Sequence, residues 1–242
     1  MKHNKVLLTG GSGGIGRATA KRLTADGYQI INADRVAPKN PEPDEIFVQV
    51  DLMNASDVRQ ALAPLADAAD ILRVVNNAGI IGPALLEDTT VADFESVVAL
   101  NLRAPLLLAQ LFTPGMRQAK FGRIVNIASR AALGKELRTA YSATKAGLLG
   151  MTRTWAHEQG AYGITVNAIG PGPIATELFL SGNPPDSPKT RQIIETIPVK
   201  RMGEPADIAH AVASLVDDRA GFITGQVLYV CGGMTVGLSH TA

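Results

Sequence analysis

The chain has a single cysteine, Cys231, in 242 residues. It cannot form an internal disulfide, which fits a reducing compartment and makes the cytoplasm the expected location. Excess charge is also missing: 23 Lys and Arg stand against 22 Asp and Glu, a formal net charge of +1. Without a basic footprint, neither nucleic acid nor an anionic membrane is an expected partner. No uninterrupted apolar run approaches the ~18 to 20 residues that cross a bilayer. Met1-Lys2-His3-Asn4-Lys5 precedes only a short apolar run and does not read as a signal peptide. His3, His157, His210 and His240 show no metal-ligand spacing with one another or with Cys231, so no metal is expected. Internal repeats, low-complexity tracts and coiled-coil heptads are lacking.

What remains is the composition of a soluble globular protein, 46% hydrophobic and 19% charged, of a length that suits one domain over residues 1–242. Short apolar runs occur at Val6–Leu8, Gln29–Ala33, Ile46–Val50, Ile71–Val75, Ile124–Ile127, Ile164–Ile169 and Gln226–Val230. Most are separated by segments long enough for a helix, and the runs are continuous rather than alternating, as strands covered on both faces must be. The expected fold is α/β: a doubly wound, seven-stranded parallel sheet flanked by about six helices, a Rossmann fold. Two proline-rich stretches, Pro38–Pro43 and Pro171–Pro188, read as loops. The first replaces a crossover helix, and the second is long enough to belong to a substrate lid around residues 174–200.

Thr9-Gly10-Gly11-Ser12-Gly13-Gly14-Ile15-Gly16 follows the first strand and opens the first helix. In that context glycines let a pyrophosphate approach backbone N–H groups at the helix N-terminus. The spacing satisfies both G-x-G-x-x-G and T-G-x-x-x-G-x-G, so the glycines alone do not choose between nucleotide-binding families. Asp34 ends the second strand, where an acid accepts hydrogen bonds from the adenosine ribose and repels a 2′-phosphate. NAD is therefore expected over NADP, although Arg17 and Arg35 are guanidinium groups able to pair with phosphate.

Tyr141 and Lys145 lie one helical turn apart in a segment running to about Gln159, so their side chains share a face. An ammonium near a phenol stabilises the phenolate. Bringing a tyrosine into use near neutral pH takes roughly 3 to 4 kcal/mol of such stabilisation. Tyr-x-x-x-Lys is common on solvated helices, so the pair means little without companions.

The companions are present. Thr9-Gly10-x-x-x-Gly14-x-Gly16, Asn76-Asn77-Ala78-Gly79, Asn101, Ser129, Tyr141-x-x-x-Lys145 and Pro171-Gly172 occur in the order and approximate spacing of the short-chain dehydrogenase/reductase family, which the chain resembles from about Val6 to Gly233. The resemblance implies an NAD(P)-dependent oxidoreductase interconverting a secondary alcohol and a ketone by hydride transfer. Tyr141 would be the general acid/base, Lys145 would lower its pKa and bind the nicotinamide ribose, and Ser129 would polarise and orient the substrate oxygen. Asn101 would help hold a water that links Lys145 to solvent. The implied cofactor contacts are Gly10, Ser12, Gly14, Ile15, Gly16, Asp34, Asp51, Leu52, Asn77, Ala78, Gly79, Tyr141, Lys145, Pro171, Gly172, Ile174 and Thr176. The resemblance also implies a homo-oligomer, a tetramer buried through the helices that carry Asn101 and Tyr141. The alternative is a protein of the same fold that binds a dinucleotide as a sensor or scaffold without turnover, a role that typically loses the Tyr or Lys.

Some readings do not need the family. A helix is expected over Val91–Phe112, where Pro105 has no N–H and its ring crowds the Asn101 carbonyl, freeing that carbonyl for a water. Cys231 reads as a small packed hydrophobe rather than a reactive thiol. Leu178, Phe179 and Leu180, with Ile80 and Ile81, suggest apolar walls for an alcohol or ketone. Arg130, Lys135, Glu136 and Arg138 fill the loop before Tyr141, where the family resemblance implies the substrate mouth; such a charged rim either receives an acidic substrate or is a solvated loop or subunit contact in which Lys135 and Glu136 pair.

Overall fold

A computed structural model describes residues 4–237 apart from the side chain of Leu178; His3 and His240 lie outside the described residues. The strands β1 (Lys5–Thr9), β2 (Gln29–Asp34), β3 (Ile46–Gln49), β4 (Ile71–Asn76), β5 (Gly122–Ile127), β6 (Ile164–Pro171) and β7 (Val227–Val230) form one sheet of order β3-β2-β1-β4-β5-β6-β7. Every pairing is parallel. All seven apolar runs are strands, with ends shifted by one or two residues. β4, β5 and β6 are buried along their whole length, as central strands covered on both faces are.

The helices are α1 (Gly14–Ala25), α2 (Ala55–Asp67), α3 (Val91–Val98), α4 (Ala104–Ala119), α5 (Thr139–Gln159), α6 (Glu177–Gly182), α7 (Pro188–Thr196) and α8 (Pro205–Val216). They divide the core in two. Ala20 and Leu23 of α1 pack with Ile208, Val212 and Val216 of α8 on one face. Val58 and Leu62 of α2, Leu108 and Phe112 of α4 and Trp155 of α5 cover the other. The Pro38–Pro43 stretch lies in the helix-free β2–β3 connection.

Three expectations change, the first being the helix count: the described residues form eight α-helices rather than about six. Pro171–Pro188 is not loop throughout: it contains α6, and Pro188 opens α7 at a first-turn position that needs no N–H, with Ser187 capping the Thr190 N–H at 3.2 Å. The helix expected over Val91–Phe112 runs to Ala119 and is interrupted by a wide π turn over Ala99–Arg103, where the Ala104 N–H bonds the Ala99 carbonyl. Pro105 then falls in the first turn of α4, where a ring without an N–H is tolerated. The residues of α3, the π turn and α4 together span 29 residues with a mean hydropathy of 1.4 in their most apolar window, long and apolar enough to cross a membrane by length and composition. Counting uninterrupted apolar runs missed this. Half of that window is buried in the protein, and Leu107, Leu108, Phe112 and Met116 belong to the core, as in a helix laid against a sheet.

Candidate active site

The sheet order reverses direction between β1 and β4, so their C-terminal ends diverge into a crevice. Asn77 bridges it: its Nδ2 donates to the carbonyls of Thr9 and Gly10, each at 3.0 Å. In return the Thr9 hydroxyl accepts from the N–H groups of Asn77 and Ala78, also at 3.0 Å. Gly16 packs so tightly that a Cβ there would sit 1.9 Å from the Gly10 carbonyl oxygen. Gly10 and Gly14 both have positive φ, which favours residues without a Cβ. By contrast Gly13, the N-cap of α1, faces open space.

α1 and α5 share a local feature. Neither N-terminus has a capping side chain or an acid in its first turn. Asn54, Thr90, Thr176 and Ser187 cap α2, α3, α6 and α7. The positive ends of α1 and α5 therefore have no capping side chain and no acid in their first turn to offset them.

A cavity of about 530 Å³ lies at the crevice. It brings together Gly10, Gly14, Ile15, Asp34, Asp51, Leu52, Asn77, Ala78 and Gly79 from the expected cofactor set, with Pro171, Gly172, Ile174 and Thr176 on the far side. Ser129, Tyr141 and Lys145 line the same space. Three expected site residues stand behind its wall. Gly16 is the packing glycine, and the Ser12 hydroxyl donates to the Val36 carbonyl at 2.6 Å. Asn101 is buried, with its amide donating to the Ile80 carbonyl at 3.0 Å and the Thr144 hydroxyl at 3.1 Å while its oxygen accepts the Ile80 N–H at 3.0 Å. Lining residues without a motif signal include Val50, Leu100, Ile127 and Ala128. Val50, Ile127 and Ala128 lie just at or beyond strand ends and were legible only from the rule that such sites sit beyond the carboxyl ends of strands. Of the expected apolar wall, Ile80, Ile81 and Phe179 line the cavity and Leu180 does not; the Leu178 side chain lies outside the described residues.

The tyrosine and lysine differ from expectation. Burial raises the Tyr141 hydroxyl above its ordinary pKa, and the opposing influences are hydrogen bonding by Ser129 and the charge of Arg138. Ser129 is held by the Ala131 N–H, which donates to its Oγ at 3.1 Å. Lys145 is buried and its pKa falls to about 8 through loss of water. Its ammonium donates to the Ile127 carbonyl at 2.7 Å and lies 5.6 Å from the Tyr141 ring centroid. Within the protein's own groups, therefore, Lys145 is spent on a backbone acceptor, and the nearby Ser129 and Arg138 act on the phenol.

Around Asp34 the contacts are local. Its carboxylate accepts the Ser12 N–H at 3.2 Å and the Arg35 N–H at 2.7 Å. Arg17 makes a bidentate pair with Glu45 at 3.0 and 2.8 Å. The rim pairing expected between Lys135 and Glu136 does not form among the described residues. Cys231 is buried, its Sγ 3.3 Å from the Thr235 hydroxyl. Burial pushes its pKa up, but hydrogen bonds from Thr235, Gly233 and Met234 outweigh that and hold the thiol below its ordinary value. Among the described residues no group of three or more His, Cys, Asp or Glu could hold a metal ion.

Comparison with known proteins agrees with this geometry. A family profile described as Enoyl-(Acyl carrier protein) reductase matches residues 10–235. An acetoacetyl-CoA reductase of Shinella zoogloeoides is 39% identical, covering 94% of this chain and 96% of its own. A hydroxy(phenyl)methyl-succinyl-CoA dehydrogenase subunit of Thauera aromatica is 38% identical, covering 98% of each chain. Among solved structures, levodione reductase superposes with a TM-score of 0.90 at 32% identity, covering 98% of this chain and 100% of the other. A blue fluorescent protein from a metagenomic library, in complex with NADPH, does so with a TM-score of 0.86 at 34% identity, covering 98% and 100%. The fold, the motifs from the glycine loop to Tyr141-x-x-x-Lys145 and these likenesses agree: the chain belongs to the short-chain dehydrogenase/reductase family, NAD(P)-dependent oxidoreductases acting on CH–OH groups.

Proposed function

We propose that this chain interconverts a secondary alcohol and a ketone with Tyr141 as the general acid/base. The observation that carries this reading is the convergence of the glycine-rich loop and Ser129, Tyr141 and Lys145 on one cavity. The residues fit a dinucleotide. Open space at Gly13 and the uncapped N-terminus of α1 suit a pyrophosphate, and Asp34 lines the cavity where a ribose would be met. A Cβ at Gly79 would press on Asn101 Oδ1 at 3.1 Å and touch Lys145 Nζ at 3.4 Å. The bound dinucleotide supplies or accepts the hydride.

The chain's own groups then have separate tasks. The Ser129 hydroxyl orients the substrate oxygen, and the Tyr141 hydroxyl exchanges a proton with it. Lys145, anchored on the Ile127 carbonyl, brings a titratable ammonium beneath the tyrosine. Asn101 acts through its bonds to Ile80, which fix the turn beyond Gly79. Residues 174–200 are read as a lid. The Gly203 N–H to Pro173 and the Ala175 N–H to Gly203 bonds, at 3.0 and 2.8 Å, tie its base down, while Phe179 faces the cavity.

The cofactor reading is NAD over NADP. Asp34 is at the cavity and Arg17 is committed to Glu45, although the metagenomic relative is solved with NADPH. The substrate is read as a small ketone or alcohol, and the acetoacetyl-CoA reductase among the relatives makes acetoacetyl-CoA the first probe. A homotetramer and a cytoplasmic location complete the reading. The exposed Val91, Phe94 and Leu106 beside the Asn101 turn support the first, and sedimentation tests it. The sensor or scaffold alternative is not supported, because Tyr141 and Lys145 are both present in the cavity.

The deciding experiment compares wild type with Tyr141→Phe, first in NADH binding and then in NADH oxidation with acetoacetyl-CoA and a panel of ketones. Turnover that falls by about 10²- to 10⁴-fold in the variant, with binding intact, is expected of a lost acid/base. Equal turnover in the two proteins overturns the role of Tyr141. Binding without turnover of any ketone or alcohol restores the sensor reading.

A further inference from the structure

Arg17 follows the last glycine of the loop, and the disposition of its guanidinium is specified by the β2–β3 connection. Nη1 and Nη2 donate to the two oxygens of Glu45 at 3.0 and 2.8 Å, and Glu42 adds a second carboxylate at 3.6 Å. The Glu45 side chain is fully buried. Its carboxylate also accepts Asn32 Nδ2 at 2.9 Å and the Glu42 N–H at 2.7 Å. Asn32 continues the chain of bonds into the glycine loop: its Oδ1 accepts the Gly11 N–H at 3.0 Å and its Nδ2 donates to the Ser12 hydroxyl at 3.1 Å. The Ser12 N–H in turn reaches Asp34 at 3.2 Å. One buried carboxylate thus links Arg17 to the acid expected at the ribose.

We propose that Glu45 is a cofactor-specificity residue, which holds Arg17 in a closed bidentate pair and so withholds a phosphate-binding guanidinium from the 2′-phosphate of NADP. A guanidinium recognises carboxylate and phosphate through the same planar fork, so the fork given to Glu45 is unavailable to a phosphate. Asp34 repels a 2′-phosphate directly, and Glu45 removes a group that would offset that repulsion. Glu45 acts through Arg17 and is a positioning residue. Arg35, also at the cavity wall, is common to every variant below and cancels in the comparison. The proposal rests on the dinucleotide reading of the cavity.

The test is a fluorescence titration of NADH and NADPH against wild type, Arg17→Met, Glu45→Gln and the double variant. Glutamine keeps the shape and the contact to Asn32 while removing the charge that holds the guanidinium. The expected result is an NADPH-to-NADH affinity ratio that rises about tenfold in Glu45→Gln, the scale of one charge-assisted phosphate contact, and returns to the wild-type ratio when Arg17 is also removed. Arg17→Met alone leaves the ratio unchanged. A ratio that stays constant in Glu45→Gln overturns the proposal, as does a loss of NADPH affinity in Arg17→Met alone, which would mean that Arg17 already reads the phosphate. If Glu45→Gln fails to fold by thermal melting, Glu45→Asp, whose shorter side chain loosens the bidentate pair, takes its place: a rise in the ratio that Arg17→Met abolishes supports the proposal and a constant ratio overturns it. Wild type that binds neither dinucleotide refutes the reading of the cavity instead.

Discussion

The Lys145 ammonium donates to the Ile127 carbonyl at 2.7 Å from a wholly buried position, and loss of water lowers its pKa from 10.5 to about 8. Below pH 8 the folded and unfolded chains both carry this proton. Between about 8 and 10.5 the unfolded chain keeps it and the folded chain has released it, so the contribution of Lys145 to unfolding free energy rises with pH. The predicted gain is about 3 kcal/mol across that window. Chemical denaturation of the cofactor-free protein at a series of pH values, with Lys145→Met as the reference, isolates it: the difference between the two proteins should grow with pH. A difference that stays flat would mean that Lys145 is not desolvated.

Two glycines three residues apart make opposite predictions. A Cβ at Gly16 would meet the Gly10 carbonyl at 1.9 Å, and one at Gly13 meets nothing within 4 Å. Gly16→Ala should therefore force β1 and α1 apart and cost at least about 1–3 kcal/mol of stability, the usual range for overpacking. Gly13→Ala should lower the melting temperature by only a few degrees, the cost of alanine for glycine at the α1 N-cap, yet weaken dinucleotide binding, because Gly13 lines the cavity. Thermal melts and NADH titration of the two variants check this, and a stable Gly16→Ala protein would contradict the packing.

The wide turn at Ala99–Arg103 meets Pro105 one residue into α4. Pro105→Ala supplies an N–H that can return the Asn101 carbonyl to ordinary helical bonding and removes the ring that crowded it. If that carbonyl serves a water beside Lys145, the variant should shift the pH–rate profile while leaving the melting temperature within a few degrees. An unchanged profile removes the water from the reading of Asn101. Asn101→Ala is a harsher change, since it strips partners from Ile80 and Thr144; a buried polar group left unpaired costs about 1–3 kcal/mol.

The strands were legible as short apolar runs: β4, β5 and β6 are covered on both faces and buried throughout, while the edge strands β3 and β7 keep apolar runs although they are only partly covered. Tyr141, Lys145, Ser129 and the glycines carried the site through motif order. What escaped depended on distant partners. The buried Glu45 looks like any acid in a polar loop until Arg17 is seen beside it. The raised pKa of Tyr141 follows from enclosure by residues scattered along the chain, whereas sequence spacing suggested only a lysine one turn away. Ser12 and Gly16 belong to the loop motif, but their atoms are used within the protein. The π turn was hinted at by Pro105, whose clash with Asn101 was foreseen without the geometry that relieves it.

The loop before Tyr141 and Lys189 of α7 bring together cations whose purpose the sequence left open. After burial, the charges of Arg130, Arg138 and Lys189 hold the Lys135 amine below its ordinary pKa, and Arg138 also acts on Tyr141. Among the described residues none of these four has a carboxylate in ion-pair contact. Four cations held near one another without a counter-charge repel, and a bound anion would relieve that repulsion. An Arg130→Ala, Arg138→Ala variant should therefore lower kcat/KM for a ketone bearing a carboxylate or phosphate by about tenfold, near 1.4 kcal/mol, and raising the salt concentration should shrink the wild-type preference. A neutral ketone of the same shape is the control. Because Arg138 lowers the pKa of Tyr141, its loss should also move the tyrosine limb of the pH–rate profile upward for both ketones. An equal loss on charged and neutral ketones would assign the arginines to Tyr141 alone, and no loss on either would make the rim a solvated surface.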